Sequence, residues 1–365
     1  MGIVGGFDVH RAQITFDWID TDTGEVRRGQ VRPATRARLR EWLEVSFAGR
    51  SDVAIAVEGC TGWRFVVEEL TRAGIEAHLA EPADTAALRG RKRRAKTDRA
   101  DARHLRVHLA AGDLPECWVP PAHVLEARTR VRLYCALMGD RTAWQQRMHA
   151  VLFHQGAPAP RDLLTAEGRA HLAGAELSDA GRQAIEVELR AIERLNLEIM
   201  PLKAEIEDFS RRQPGCRALQ AHFGIGMLTS VAIWAEMGDC RRFSSSDDAV
   251  RHTGLDITVW SSDAKRSAGH LSRQGPAVLR WALFEAAKCA YRPTSPDHDY
   301  YAAVKDRQGG NRATLSVARK LARRVHHSLR ALGDEAFAVP APARTTTTTT
   351  AGTTAAGKPR AGRAA

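Results

Sequence analysis

The chain has 365 residues with a formal net charge of +11, and 44% of its residues are hydrophobic. This composition suits two or three globular domains, and the excess of cations favours a polyanionic partner, meaning nucleic acid or an anionic membrane surface. No apolar run reaches the ~18 residues that span a bilayer, and the N-terminus does not resemble a secretory signal. Six isolated cysteines without a C-x-x-C pair favour reduced thiols over a zinc ribbon or disulfides, so we expect a cytoplasmic protein.

Residues 1–125 predict an α/β domain with a mixed sheet. Three strands separated by tight turns are indicated by "IVGGFDV", "QITFDWID" and "EVRRGQVR". A helix in "ATRARLREWLEVSF", a buried strand in "DVAIAVEG", a helix in "GWRFVVEELTRAG" and a strand in "IEAHLAEP" follow. After a basic run, "TDRADARHLRVHLAAG" predicts a helix with Thr97 as its N-cap and Gly112 as its stop. The order βββαβαβ…α is typical of an α/β domain.

Residues 126–214 predict an all-α region that is helical up to residue 212. Apolar residues recur there at steps of three and four, which predicts an amphipathic arm or coiled-coil segment, bent at Pro201. Two interpretations stay open, since this arm could join two subunits or pack within its own subunit. The recurring positions are Ile185, Leu189, Ile192, Leu195, Ile199, Leu202 and Ile206.

The remaining chain predicts a mainly helical domain over residues 215–335 and a disordered tail over residues 336–365. The domain contains several apolar helical stretches and a helix at 311–331. The tail is rich in Pro, Thr, Ala and Gly with scattered cations, a composition that cannot bury a core.

Four carboxylates on three separate elements suggest a metal site. Asp8 lies within an otherwise apolar strand, where an acid is costly unless it is paired or binds a metal. Glu58 ends a later central strand, while Asp98 and Asp101 share one face at the start of a helix. If these elements converge, their oxygens suit two Mg²⁺ or Mn²⁺ ions of the kind that catalyse phosphodiester cleavage.

A dense basic run comes immediately before the last two acids. We expect its cations to bind nucleic-acid phosphates, while the acids perform the chemistry. The predicted phosphate-binding residues of this run are Arg91, Lys92, Arg93, Arg94 and Lys96.

These segments resemble the DEDD transposases of the IS110 family of insertion sequences. The resemblance rests on "GFDVHRAQITFDWID", "VAIAVEGCTGW", "AHLAEPADTAALRGRKRRAKTDRADARHLRVHL" and "GIGMLTSVAIWAEMGDCRRFSSSDDAVRHTGL", and covers residues 3–330. It implies a RuvC-like (RNase H-like) nuclease domain at the N-terminus. The family's four acids correspond to Asp8, Glu58, Asp98 and Asp101, with the K-T-D-x-x-D run kept in full.

The C-terminal domain carries two further motifs. "FGIGMLTSVAIWAEMGD" is similar to a helix-hairpin-helix, whose turn at Gly224 and Gly226 would offer backbone N–H groups to a phosphate, although Phe223 stands where the family has proline. "GLDITVWSSDAKRSAGHLSRQGPAVLRWAL" resembles the family's serine signature. The resemblance implies a serine nucleophile at Ser262, or else at Ser261, with Asp263 where the family has glycine. The cations expected to contact phosphates there are Lys265, Arg266, Arg273 and Arg280.

The resemblance implies a bacterial, nucleoid-associated DNA recombinase that cuts and rejoins strands through a covalent serine–DNA intermediate. It also implies a homo-oligomer, a dimer or a tetramer, whose composite sites combine the acids of one subunit with the serine of another. Donor DNA, target DNA and a structured noncoding RNA that bridges them are the implied partners. Two alternatives remain: a RuvC-like junction endonuclease that hydrolyses DNA without a covalent intermediate, and an inactive nucleic-acid-binding relic.

Overall fold

The computed structural model describes residues 2–88, 97–258, 261–262, 265–266 and 269–341. The chain divides into two compact units at Pro120 and Pro121, near the boundary that the sequence predicts at residue 125. The second unit contains both the predicted helical region and the predicted C-terminal domain. Within the described ranges, no helix combines the length and apolar character that crossing a membrane requires.

The first unit contains a five-stranded mixed sheet. Its strands follow the order β3-β2-β1-β4-β5; β1, β2 and β3 pair antiparallel, while β4 and β5 run parallel to β1. This confirms the predicted α/β domain and element order, and adds a short helix that begins at Pro82, where proline suits the first helical turn. The elements are β1 (Ile3–Val9), β2 (Ile14–Asp20), β3 (Val26–Val31), α1 (Arg36–Phe47), β4 (Val53–Glu58), α2 (Trp63–Arg72), β5 (Glu76–Ala80), α3 (Pro82–Ala87) and α4 (Asp98–Ala111).

Alternate residues of the central strands face two different layers. In β1, Ile3, Phe7 and Val9 join the core that also contains apolar side chains of α1 and α2. On the opposite face, Val4 packs with Ala56 of β4 beneath α4. Because side chains alternate along a strand, Asp8 and Glu58 belong to the α4 face.

Helix α4 crosses β1 at Gly6. A Cβ at Gly6 would lie 2.2 Å from the carbonyl oxygen of Ala102 and 2.7 Å from the backbone nitrogen of Arg106. The helix begins as predicted, with Thr97 Oγ1 accepting a hydrogen bond from the N–H of Ala100 at 3.2 Å. It ends as predicted at Gly112, whose φ of +71° is left-handed. The close crossing at Gly6 brings the first turn of α4 over the end of β1.

The second unit is mainly helical, as predicted, with short β pairs. Its elements are α5 (Ala122–His154), α6 (Ala166–Gly174), α7 (Asp179–Arg212), α8 (Pro214–Leu219), α9 (Met227–Met237), α10 (Ser246–Thr253), β6 (Ile257–Thr258), β7 (Ser261–Ser262), β8 (Lys265–Arg266), β9 (His270–Leu271), α11 (Ala277–Lys288), α12 (His298–Gln308) and α13 (Gly310–Leu332).

Helices α5 and α7 pack against each other within the chain. Ile185 and Ile192 of the predicted arm are buried in a cluster with Met148 and Leu152 of α5, so this part of the apolar stripe packs within its own subunit. The prediction of continuous helix up to residue 212 was wrong, because segments 155–165 and 175–178 are not helical. Gly156, at a φ of +69°, ends α5, and prolines follow in "GAPAP". Pro201 does lie inside α7.

The described chain extends beyond the predicted start of the disordered tail. Residues Gly333–Phe337 form a 3₁₀ turn in which Ala336 is fully buried. The carbonyl oxygen of Ala336 accepts hydrogen bonds from Trp234 Nε1 at 2.7 Å and from Gln213 Nε2 at 3.2 Å. The tail boundary at 336 was therefore placed too early. Residues 342–365 lie outside the described residues.

Candidate active site

Strand β1 and helix α4 bring acidic side chains together at one end of the sheet. Asp8 is only 4% exposed, and Asp101 only 5%. Asp98 and Asp101 open α4, which lies over this end of β1. Because β1 and β4 are parallel with Phe7 opposite Val57, the next residues, Asp8 and Glu58, lie at the same end of neighbouring strands.

A histidine lies between two of these acids. His10 Nε2 is 3.0 Å from Asp8 Oδ2 and 3.4 Å from Asp98 Oδ1. One ligand atom from each of Asp8, His10 and Asp98 lies within 4.8 Å of the other two. Gln13 Nε2 donates to Asp98 Oδ2 at 3.0 Å, and Arg32 donates to Gln13 Oε1. Side chains of the turn after β1 therefore help to fix the position of the Asp98 carboxylate, in addition to helix α4.

The surroundings of Asp8, above all its burial, disfavour the ionisation of its carboxyl. Burial raises the pKa of the Asp8 carboxyl; His10 acts in the opposite direction, while the negative charges of Asp101 and Asp98 raise this pKa further. A divalent cation would relieve the repulsion among these carboxylates. The oxygen donors suit Mg²⁺ or Mn²⁺, and the imidazole suits Mn²⁺ better than Mg²⁺, so the residues fit a divalent metal centre.

The other predicted acids lie close by, outside this three-residue cluster. Asp101 is near enough for its charge to raise the pKa of Asp8. Glu58 is half-buried at the end of β4. Burial raises the pKa of the Cys60 thiol, and the charges of Glu58 and Asp8 raise it further. Both carboxylates therefore lie near the same thiol.

Sequence reasoning missed His10 and Gln13. The signal for His10 is its spacing, because residues two apart on an extended chain point to the same face. His10 follows the buried Asp8 at that distance. The spacing alone did not show that the imidazole would reach Asp98 as well.

The predicted cations of the basic run lie outside the described residues. These are Arg91, Lys92, Arg93, Arg94 and Lys96.

The predicted serines form a short strand of the second unit, β7. Strand β7 pairs antiparallel with β8, so that Ser262 stands opposite Lys265 and Ser261 opposite Arg266. A second pair, β6 with β9, joins the flanking segments. Asp263 lies outside the described residues.

Arginines donate hydrogen bonds to backbone carbonyls in the segments before β6 and after β9. Arg280 Nη1 donates to the carbonyl oxygen of Gly275 at 2.8 Å, and Arg319 Nε donates to that of Leu255 at 2.6 Å. Arg273 has a left-handed backbone, with a φ of 53°, and its N–H donates to Gly254 O at 3.2 Å. The Arg280 side chain therefore already makes a hydrogen bond within the protein, and its predicted contact with a phosphate stays a prediction.

The turn at Gly224 and Gly226 connects α8 to α9. A Cβ at Gly224, where φ is +89°, would lie 2.3 Å from the carbonyl oxygen of Ala286 in α11, so the packing of α11 requires glycine there. The N–H of Gly226 donates to Thr229 Oγ1 at 3.0 Å. Phosphate binding by this turn stays a prediction, and any such contact would compete with Thr229 for the Gly226 amide.

Comparisons with known proteins relate both units to one family. A DEDD transposase model of the IS110 type matches residues 5–154, and a model of the transposase IS116/IS110/IS902 family matches residues 216–302. Together the two models cover more than half of the chain.

Individual relatives carry transposase names. The chain is 30% identical to y4rJ of Sinorhizobium fredii, named as a transposase, over 64% of each chain. It is 28% identical to the transposase for insertion sequence element IS1111A of Coxiella burnetii, over 32% of this chain and 33% of the relative. It is 24% identical to the transposase for IS1328 of Yersinia enterocolitica, over 64% of this chain and 70% of the relative. The chain thus spans less than two thirds of the length of the first two relatives. From the two matching models and these relatives, we conclude that the chain belongs to the IS110 family of DEDD transposases.

Proposed function

We propose that this protein is the transposase of an insertion sequence and that it cleaves and rejoins DNA strands at the acid cluster. The observation that carries the proposal is the buried Asp8 carboxylate, grouped with Asp98 and His10 and repelled by the charge of Asp101. A divalent-metal site brings carboxylates and an imidazole together in this way, and a bound cation would offset both the burial of Asp8 and the repulsion from the neighbouring acids.

Asp8, Glu58, Asp98 and Asp101 would hold the metal, with His10 as a further ligand or as the hydrogen-bond partner of Asp8. Two Mg²⁺ or Mn²⁺ ions in such a site would stabilise the attacking and leaving oxygens of a phosphodiester displacement. The sheet with α4 across one face supports a RuvC-like (RNase H-like) interpretation of the first unit.

Ser262, or else Ser261, would be the nucleophile. Its Oγ would lose a proton and bond to phosphorus, while the deoxyribose oxygen leaves and takes up a proton. One P–O bond forms as another breaks, so the covalent intermediate can be rejoined to another strand without an external energy source. The backbone of Ser262 pairs with that of Lys265, and a cation at such a site would hold the phosphate and stabilise its developing charge.

The proposed partners are donor and target DNA together with a structured noncoding RNA that bridges them. The net charge of +11 supports binding of several polyanions. We propose a homo-oligomer, either a dimer or a tetramer, with composite active sites formed by the acids of one subunit and the serine of another. The helix-hairpin-helix-like turn at Gly224 and Gly226 would contribute phosphate contacts.

Divalent metal should stabilise the folded protein and permit DNA cleavage. Because a ligand that binds only the folded state adds stability by mass action, Mg²⁺ or Mn²⁺ at a hundredfold excess over its Kd should add about 2.7 kcal/mol. Thermal unfolding with and without the metal measures this effect independently of cleavage. Strand cleavage of DNA that carries the ends of the element should appear only with metal and disappear with a chelator.

The matched controls are Asp8→Asn and Asp22→Asn. Asp22 is an exposed acid in the same unit, so Asp22→Asn should keep the metal-dependent stabilisation that Asp8→Asn loses. Equal stabilisation of both variants would show that the metal binds elsewhere. Cleavage at full rate in the presence of a chelator would refute the metal-dependent mechanism.

A further inference from the structure

A basic groove lies beside the acid cluster on the first unit. It is a cavity of about 470 Å³ between α4 and the antiparallel edge of the sheet, and its lining includes Asp17, Arg28, Arg99 and Arg103. Strands β2 and β3 contribute Asp17 and Arg28, while α4 contributes the other two residues.

The groove has more positive than negative charge. Asp17 is buried and forms ion pairs with Arg28 at 2.6 Å and with Arg106 at 2.5 Å, so one carboxylate serves two guanidinium groups. Arg99 and Arg103 are exposed. Within the described chain, neither of these two arginines has a carboxylate within ion-pair distance. The arrangement therefore favours an anionic ligand.

The position of the two free arginines connects this groove to the acids. Arg99 directly follows Asp98, and Arg103 comes two residues after Asp101. Four residues separate Arg99 from Arg103, which places them on one side of the helix, about 6 Å apart along its axis. The acids of α4 lie over β1, whereas the arginines line the groove. A strand with a phosphate at the acids would therefore pass these guanidinium groups.

We propose that this groove binds backbone phosphates of the DNA strand that is cut, next to the phosphate that reacts. Arg99 and Arg103 make direct phosphate contacts, and Arg28 contributes with the exposed part of its guanidinium. The groove would hold the strand in register with the acids and would carry no base specificity. This inference rests on the proposed function, because that function makes DNA the substrate of the acids.

The test is the salt dependence of DNA binding by the full-length double variant Arg99→Gln/Arg103→Gln. Each lost phosphate contact lowers the slope of log affinity against log salt by about 1, so we expect a slope that is smaller by about 2 and a weaker affinity at low salt. The probe is a random-sequence DNA duplex, and binding is measured without divalent metal so that cleavage does not contribute.

Two further variants make the result specific. Arg38→Gln/Arg72→Gln removes the same charge from exposed arginines of α1 and α2, which pack on the opposite face of the sheet. We expect this control to keep the wild-type slope. Arg99→Lys/Arg103→Lys keeps both charges and should restore most of the slope. If the glutamine variant folds poorly, a slope close to that of the wild type in the lysine variant still tests whether charge at these two positions is enough.

An unchanged slope in the glutamine variant, or an equal loss in the control, would overturn the proposal. A slope that changes with RNA of the same length but not with DNA would also overturn it, since the groove would then serve the RNA partner. If wild-type protein cleaves DNA and the slope is unchanged, the groove proposal alone fails. If the slope changes but wild-type protein never cleaves DNA, the proposed function fails and the phosphate-binding groove stands.

Discussion

Replacing Asp8 by asparagine should reduce metal-dependent DNA cleavage by at least about a hundredfold. A carboxylate that holds a catalytic divalent ion contributes several kcal/mol of transition-state stabilisation, and each 1.36 kcal/mol corresponds to a factor of ten in rate. The amide of asparagine is isosteric but neutral, so it cannot replace the charge of the buried carboxylate. The rate of strand cleavage under saturating Mg²⁺, measured for wild type and variant, checks this prediction.

The same substitution should leave the fold intact, which separates a metal ligand from a structural acid. Burial raises the pKa of Asp8, so the folded protein binds this proton more tightly than the unfolded chain does. The metal-free wild type should therefore lose stability at this group as the pH rises through that pKa, and Asp8→Asn should not show this loss. At neutral pH the variant should be at least as stable as the wild type.

Asp22→Asn provides the matched control for cleavage, because Asp22 is exposed and belongs to the same unit. This control should cut DNA at the wild-type rate. Full cleavage by Asp8→Asn would remove Asp8 from the active site. A large loss of stability in Asp8→Asn would instead assign the carboxylate a structural role.

Gly6→Ala should destabilise the first unit and damage the active site together. The added Cβ would lie 2.2 Å from Ala102 O and 2.7 Å from Arg106 N, and both are backbone atoms that yield only if α4 moves. Overpacking of this kind costs about 1–3 kcal/mol, and sometimes more. Because α4 also carries Asp98 and Asp101, cleavage should fall beyond what partial unfolding explains. Denaturant unfolding and the cleavage rate are the two measurements.

Gly139→Ala is the matched control for this prediction. Gly139 lies within α5, and an added Cβ there meets nothing within 4 Å. The substitution should leave stability unchanged or raise it by about 0.5–1 kcal/mol, because alanine restricts the unfolded chain and suits a helix. If Gly6→Ala changed stability and cleavage as little as Gly139→Ala, the close packing of α4 on β1 at Gly6 would be contradicted.

The strands and helix ends of the first unit were predictable because the sequence features that determine them are local. The alternation in β1, with Asp8 on the face opposite Phe7, identifies the strand and its buried acid together. Thr97 and Gly112 define both ends of α4 through cap chemistry that depends on neighbouring residues alone.

The errors arose where distant contacts decide the structure. The carbonyl oxygen of Ala336 accepts a hydrogen bond from Trp234 Nε1, and 102 residues separate donor from acceptor in the sequence. No composition rule could place Ala336 in the folded core. Similarly, the reach of His10 from Asp8 to Asp98 depends on how α4 crosses the sheet.

Two rival functions share many of these features. A RuvC-like junction endonuclease would use the same acids and metal but would hydrolyse DNA with water, and would leave free strand ends. An inactive nucleic-acid-binding protein would bind DNA with steep salt dependence and show no metal-dependent cleavage. The fate of the cleaved strand therefore distinguishes the three functions.

The central claim is that the acids and the serine act in one reaction, and trapping the covalent intermediate tests it most directly. Full-length protein would be incubated with Mg²⁺ and DNA carrying the ends of the element, denatured and digested, and DNA-linked peptides would be identified by mass spectrometry. We predict a metal-dependent adduct on the peptide with Ser262 that is lost in Ser262→Ala and in Asp8→Asn and kept in Ser261→Ala. Efficient metal-dependent cleavage that yields only free ends, with no strand linked to the protein, would contradict the claim.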